Sequence, residues 1–258
     1  MALSPLRPQA PQAGSGPLVI VAPRPLYDVA ILLKARYHKV VTCEEPVLVW
    51  SRDLLTKGRD PEGPMGLWPK DRRFVIPERL SPARMPELDL AALQSIVESY
   101  NLQDGDGPLF RATESPFGLH ILPLQMHAAN GELVKAVSLL DTRVSVSSAL
   151  RMPSEHFRAL CAAVTASRGR TLQFFYARKW LDDEFAPNGL RPPKGAAQLL
   201  PAKEKERYSI VWGAPNVTAR AALMTLADLS ATKLTWYLLC QPSAKPENRF
   251  CVLNMDAI

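Results

Sequence analysis

Four stretches of this chain repeat one plan, a short apolar strand, an amphipathic helix and an extended return, and that recurrence limits the available folds more than any single residue does. In the first, residues 18–21 form the strand, Pro23 and Pro25 mark the turn, and Leu26, Val29, Leu33 and Tyr37 follow near helical spacing. Residues 40–42 and 47–50 then read as paired strands across Glu45 and Pro46. The second unit opens at residues 74–76, carries Leu90, Leu93, Val97 and Tyr100 on its helix, and returns through strands near 109–113 and 118–122. The third opens at residues 139–146, starts a helix at Pro153 with Phe157, Leu160, Cys161 and Val164, and returns at 171–176. The fourth has a strand at 208–212, a break at Pro215, a helix with Leu223, Leu226 and Leu229, and a closing hairpin of residues 234–240 with 250–255. Asn216 stands where a cap for that helix is expected. Asn130-Gly131, between the second and third units, has the chemistry of a two-residue hairpin turn.

One such unit of about 35 residues buries too little apolar surface to offset the entropy of ordering it, whereas two can close a core between them. The expected fold is therefore α+β, with two tandem modules each built from two strand-helix-strand, βαββ-like halves. Residues 1–16 read as a flexible Pro-rich leader without the continuous apolar run of a secretory signal, residues 17–137 as the first module and 138–258 as the second. Two long stretches interrupt the repeats, 51–73 with its GRDPEGPMG turn chemistry and 178–207, rich in Pro and charge, and both are candidate contact loops. No apolar run is long enough for a transmembrane helix.

The opening VIVAPRPLYDVAILLKARYHKVVTCEEPVLVW and the later APNVTARAALMTLADLSATKLTWYLL resemble the two halves of the short N-terminal (STN) module of secretins and TonB-dependent receptors. LLDTRVSV and the terminal hairpin are similar to parts of uncharacterised bacterial envelope proteins with tandem modules of this kind. The resemblance implies a periplasmic or extracellular place and binding to other proteins or to copies of itself. It brings no catalytic residues with it.

Among individual residues, Cys240 and Cys251 lie on two apolar runs that a hairpin folded near Lys245 and Pro246 would set opposite each other, as a disulfide or as two buried thiols. Cys43, beside Glu44 and Glu45, and Cys161, on the stripe of its helix, read as structural. His38, His120, His127 and His156 sit in no catalytic or metal-binding pattern, and neither a G-x-S-x-G elbow, a phosphate loop nor a dinucleotide fingerprint is present. No metal and no cofactor is expected. Trp50, Trp212 and Trp236 fall in strand patterns, while Trp68 and Trp180, with Arg178 and Lys179, lie in the long stretches and are the contact candidates.

The net charge of +6 comes from the second half, where residues 138–258 hold 16 Lys and Arg against 10 Asp and Glu. These charges come as singles and pairs rather than blocks, so a nucleic-acid partner is not expected. The leading expectation is a non-enzymatic protein of the bacterial envelope or cell exterior, a protein-interaction or self-assembling structural component whose partner is another protein or a homo-oligomer. The alternative is a protein that binds, or hydrolyses, a glycan or peptide at a site between the modules.

Overall fold

The computed structural model describes residues 17–56, 67–168, 173–176, 206–230, 233–242 and 249–258. It is a mixed α+β fold with one large sheet, three two-stranded sheets and, among the described residues, four helices. In chain order the first part holds β1 (Leu18–Ala22), α1 (Pro25–Tyr37), β2 (Val41–Glu44), β3 (Leu54–Thr56), β4 (Leu67–Pro69), β5 (Arg72–Ile76), α2 (Leu90–Gln103), β6 (Leu109–Ser115), β7 (Gly118–His127) and β8 (Leu133–Lys135). The second holds β9 (Arg143–Arg151), α3 (Pro153–Arg168), β10 (Gln173–Tyr176), β11 (Ile210–Thr218), α4 (Ala219–Ala227), β12 (Leu234–Gln241) and β13 (Phe250–Ala257).

The large sheet runs β10-β13-β12-β2-β7-β6, with β8 added beside β7. β2 is parallel to β7, which forms an antiparallel hairpin with β6; likewise β10 is parallel to β13, which forms an antiparallel hairpin with β12. β1 pairs antiparallel with β5, and β9 with β11. The two groups of strands meet where β12 pairs in parallel with β2, Tyr237 opposite Cys43 and Leu238 opposite Glu44.

Helical spacing accounts for the inner faces. α1 buries Leu26, Val29, Ala30 and Leu33, and α2 buries Leu93, Ile96, Val97 and Tyr100, one stripe each at the three-and-four spacing of an amphipathic helix. Pro25 starts α1, where a missing N–H costs nothing, and Asp89 caps α2 by accepting from Ala92 N–H at 2.7 Å. These faces join Val41, Cys43, Leu119, Ile121 and Tyr237 in one core. A second core gathers Phe157, Leu160, Cys161 and Val164 of α3, Leu223 and Leu226 of α4, and Trp236, Leu238, Cys240 and Leu253 of the large sheet. Neighbouring residues of β12 thus serve different cores, Tyr237 the first and Trp236 and Leu238 the second, because successive side chains of a strand point to opposite faces. α1 and α2 therefore lie on one face of the large sheet, α3 and α4 on the other. β1–β5 covers the outer side of the first helix pair and β9–β11 that of the second, through Phe74 and Ile76 in one core and Val144, Val146 and Trp212 in the other.

Several expectations need correction. Residues 47–50 are not a strand, because β2 takes β12 and β7 as neighbours and has no edge left for a hairpin return. Residues 139–141 form a 3-10 turn capped by Ser138, so the third strand begins only at Arg143. Pro215 does not end β11. Register shifts between Trp212 and Val217 take it up as an irregularity of the strand. Asn216 sits in that irregularity with φ of 49° and is held by Arg143, while Thr218 caps α4 by accepting from Ala221 N–H. The turn at Asn130-Gly131 is longer than two residues, since Gly131 N–H closes on Ala128 O and Gly131 alone takes positive φ, 87°, as in a type I turn followed by a left-handed glycine. Gly118, opening β7, answers a different need: a Cβ there would lie 2.5 Å from the Cβ of Val40.

The junction between β12 and β2 carries a buried charge pair. Glu44 is fully buried and accepts from Arg220 Nε at 2.8 Å and Nη2 at 2.6 Å, from Ser138 Oγ and from Trp236 Nε1 at 3.4 Å. A buried carboxylate stripped of its cation costs about 3–5 kcal/mol, whereas removing both charges together costs far less. Arg220→Met is therefore expected to lower the unfolding free energy by that amount and Glu44→Gln/Arg220→Met to recover most of it, as read by urea denaturation.

Candidate functional site

Among the described residues, strand edges, outward apolar faces and one polar cleft are open at the surface. Two edges are occupied from within. The side-chain amide of Asn101 accepts from Phe110 N–H at 3.0 Å and donates to Phe110 O at 2.8 Å, and that of Gln103 does the same for Val75 at 2.9 and 2.8 Å. Both amides come from the last turn of α2, which thus supplies the missing neighbour strand for one residue of β6 and one of β5. β6 also bears exposed Arg111 and Glu114, charges that discourage edge pairing.

The outer faces of the two small sheets are apolar. On β1, Val19 and Val21 are 44% and 64% exposed; on β9 and β11, Leu150 and its register partner Val211 are 53% and 67% exposed. Leu133, Val134 and Val137 of the β7–β8 region add further exposed aliphatic surface.

A polar cleft of about 470 Å³ opens beside Trp50, Asp53, Lys70, Arg72 and Asp104. Its wall is tied together by Arg72, which donates to Asp53 at 2.7 Å and to Asp104, while Tyr100 donates to the other oxygen of Asp104 at 2.7 Å. Asp53 Oδ2 faces His127 Nδ1 at 3.5 Å, and the His127 ring lies 4.2 Å from that of Trp50. Arg52, Lys70, Arg72 and Arg73 line this cleft together with Asp53, Asp71, Asp104 and Asp106, so no single-sign field selects a charged ligand; among the described residues, Asp53 Oδ2 and His127 Nδ1 are buried there without a hydrogen-bond partner.

A hydroxyl-imidazole-hydroxyl chain lies inside the large sheet. His120 is 2% exposed, with Nδ1 2.9 Å from Thr42 Oγ1 and Nε2 2.6 Å from Ser115 Oγ. Spacing alone would suit a serine nucleophile and its base, but Ser115 also accepts from Phe117 N–H within its own turn, and the rings of Phe117 and Trp236 close over the site. Burial, with the Arg220 charge adding to it, pushes the imidazole down to about 4. The histidine is thus a neutral link between β2 and the β6–β7 turn. His156 is likewise buried and shifted down by burial, its Nε2 2.9 Å from Ile210 O.

Cys240 and Cys251 are opposite each other on β12 and β13 and joined as a disulfide. Such a bond fits an oxidising compartment. Cys43 and Cys161 are free and buried. Burial raises both thiols, with Glu45 and Glu44 adding to the effect at Cys43 and Cys161 pushed up to about 12, so neither is a nucleophile. Trp68 lies on β4, opposite Leu55, and β4 reaches the second part of the chain where Gln241 donates to Leu67 O at 2.6 Å. Trp180, Arg178 and Lys179 lie outside the described residues. Trp50 falls in no strand and forms the cleft wall instead. Among the described residues no group of three or more His, Cys, Asp or Glu is placed to hold a metal ion, and no helix is long and apolar enough to cross a membrane. Compared with known proteins, the chain matches no family model, no curated protein and no solved structure.

Two measurements test these assignments. His120 is held neutral in the folded state and takes up its proton near pH 6.5 once unfolded, so the stability it confers is complete above pH 6.5 and lost as pH falls toward 4. The loss amounts to about 3 kcal/mol, and His120→Gln is expected to flatten the corresponding slope in urea midpoints measured from pH 7 to 4. Separately, Cys240→Ser/Cys251→Ser is expected to cost about 2–3 kcal/mol, the loop-closure value for so short a loop, with a matching fall in midpoint when the wild type is reduced.

Proposed function

We propose that this chain is a non-enzymatic protein-interaction component of the bacterial envelope or cell exterior, built from two modules of the STN kind. What chiefly supports this reading is the recurrence of one pairing scheme. A two-stranded sheet, two helices and a three-stranded unit with one parallel neighbour occur once as β1–β5, α1, α2 and β2-β7-β6, and again as β9–β11, α3, α4 and β10-β13-β12. Among the described residues, the division of the cores at residues 121 and 139 follows the same boundary, with Tyr237 the one buried residue of the second half that joins the first core. The disulfide supports placement in an oxidising compartment. The exposed Val19 and Val21, and Leu150 and Val211, give each module an apolar outer face suited to contact with another protein.

The alternative is a glycan- or peptide-binding or hydrolytic protein, and the cleft beside Trp50 and Asp53 is what favours it, although its lining belongs to the first half of the chain rather than to a site between the modules. Thermal-shift screening with glycans and peptides separates the two, because a ligand of the folded state raises its melting temperature.

For the interaction role the decisive comparison is affinity capture from envelope extracts with the wild type and Val211→Lys. The expected result is a defined protein retained by the wild type and reduced at least about tenfold with the variant, as for loss of a buried contact residue. A strictly monomeric chain that retains nothing, or a turnover abolished by Ser115→Ala, would overturn the proposal.

A further inference from the structure

We infer that β1 is a self-pairing edge through which two copies of this chain form an antiparallel, two-fold dimer; the inference rests on the interaction role proposed above and names its partner and its site. Three observations converge on β1. First, the edges around α2 are closed from within while β1 is not: Gln103 occupies Val75 on β5 and Asn101 occupies Phe110 on β6, and among the described residues no side chain bonds to the backbone of Leu18–Ala22. Second, the closed edge fixes which groups of β1 face outward. Val75 directs its N–H and C=O to Gln103 and away from β1, so Val75 and its opposite residue Val19 form a non-hydrogen-bonded pair, and Val19 turns its own N–H and C=O to the free side. Val21, two residues on, does the same. Third, the five residues of the strand read LVIVA, with no charge, no Pro and no Gly between Pro17 and Pro23, the residues that bound the open run.

Self-pairing matches these groups to one another. With Ile20 opposite Ile20 of the second copy, Val19 faces Val21 and Val21 faces Val19, and both are hydrogen-bonded pairs that exchange four N–H···O bonds in all. The exposed valines of the two copies then lie side by side on one face, and no like charges are set opposite each other. The two marginal two-stranded sheets become one of four strands in the order β5-β1-β1-β5, and because the operation is a two-fold the assembly stops at two. So short a strand buries little area, which places the dimer among weak, concentration-dependent associations.

Sedimentation velocity of the full chain over a range of concentrations tests this, with Val21→Pro and Val19→Lys as variants. Val21→Pro removes an outward donor without touching the ladder to β5, and Val19→Lys sets a charge opposite the apolar Val21 of the other copy and diagonal to its like across the axis. The wild type is expected to dimerise reversibly. Each variant is expected to raise the dissociation constant at least about tenfold, with unchanged circular dichroism and melting temperature. A wild type that is monomeric throughout, folded variants that dimerise like the wild type, or a dimer lost with Val211→Lys instead would overturn the inference. A monomer that still retains a cellular protein through β9–β11 overturns the dimer and leaves the interaction role standing; a β1-dependent dimer that retains no other protein upholds the dimer alone.

Discussion

The buried carboxylate of Glu44 sets the terms on which the two parts of the chain meet. β12 and β2 share only two register pairs, too little ladder to fix a junction by backbone bonds alone. Side chains complete it. Arg220 of α4 grips Glu44 with both arms of its guanidinium and reaches Asp141 as well, while Ser138, in the connection between the two parts, donates to the same carboxylate. Around this pair, Thr235 donates to Val41 O, Arg24 to Cys240 O and Lys34 to Asp256, each across the same seam. Such a charge adds little net stability over an apolar pair of equal shape, but it penalises every docking in which Glu44 is left alone. Its worth lies in making one register and one orientation the least costly.

That orientation explains why the small sheets end up where they do. Because β12 runs parallel to β2 while the two hairpins otherwise repeat each other's order, one half is turned over relative to the other across the large sheet. Each helix pair then lies between the shared sheet and a two-stranded sheet of its own, and the outer faces of β1–β5 and β9–β11 point in opposite directions. α2 guards two neighbouring edges with one turn, using Asn101 and Gln103, at the price of two polar side chains that a helix C-terminus carries easily. Edge closure at β5 and an apolar, unguarded strand at β1 belong to the two opposite edges of one small sheet, and the contrast between them is what gives β1 its meaning.

Much of this architecture is legible in the residues. Apolar spacing marks the four described helices and most of their buried faces, down to Phe157, Leu160, Cys161 and Val164; Leu229, expected on the stripe of the fourth, lies past the end of α4 at Ala227 and is 46% exposed. The opposition of Cys240 and Cys251 follows from counting back from a turn. What could not be read depends on distant partners. Residues 47–50 look like a strand by composition and are not one, since the only edge they could use is taken by β12, nearly two hundred residues on. Glu44 and Arg220 are 176 residues apart, and neither stands out locally. Asn101 and Gln103 carry no pattern at all, for an amide that closes a strand edge has the same spelling as one in water. Pro215 and Asn216 misled in the opposite sense: both are helix-boundary residues by habit, and a strand irregularity used them first.

The same geometry bears on how such a molecule can link others. If β1 is used by a second copy, the two-fold axis passes beside β1–β5, on the outer side of α1 and α2, and the β9–β11 faces of the two copies are carried to the far ends of the pair. Leu150 and Val211 then stay available, once per copy, on a body whose seam is held by Glu44 and Arg220. Two equal faces on one body raise the effective concentration of the second contact once the first is made, so a weak dimer and a weak outer face together hold a repetitive partner far more tightly than either does alone. Weakness of each surface is then no obstacle to function, and the stiffness of the seam becomes the quantity on which avidity depends.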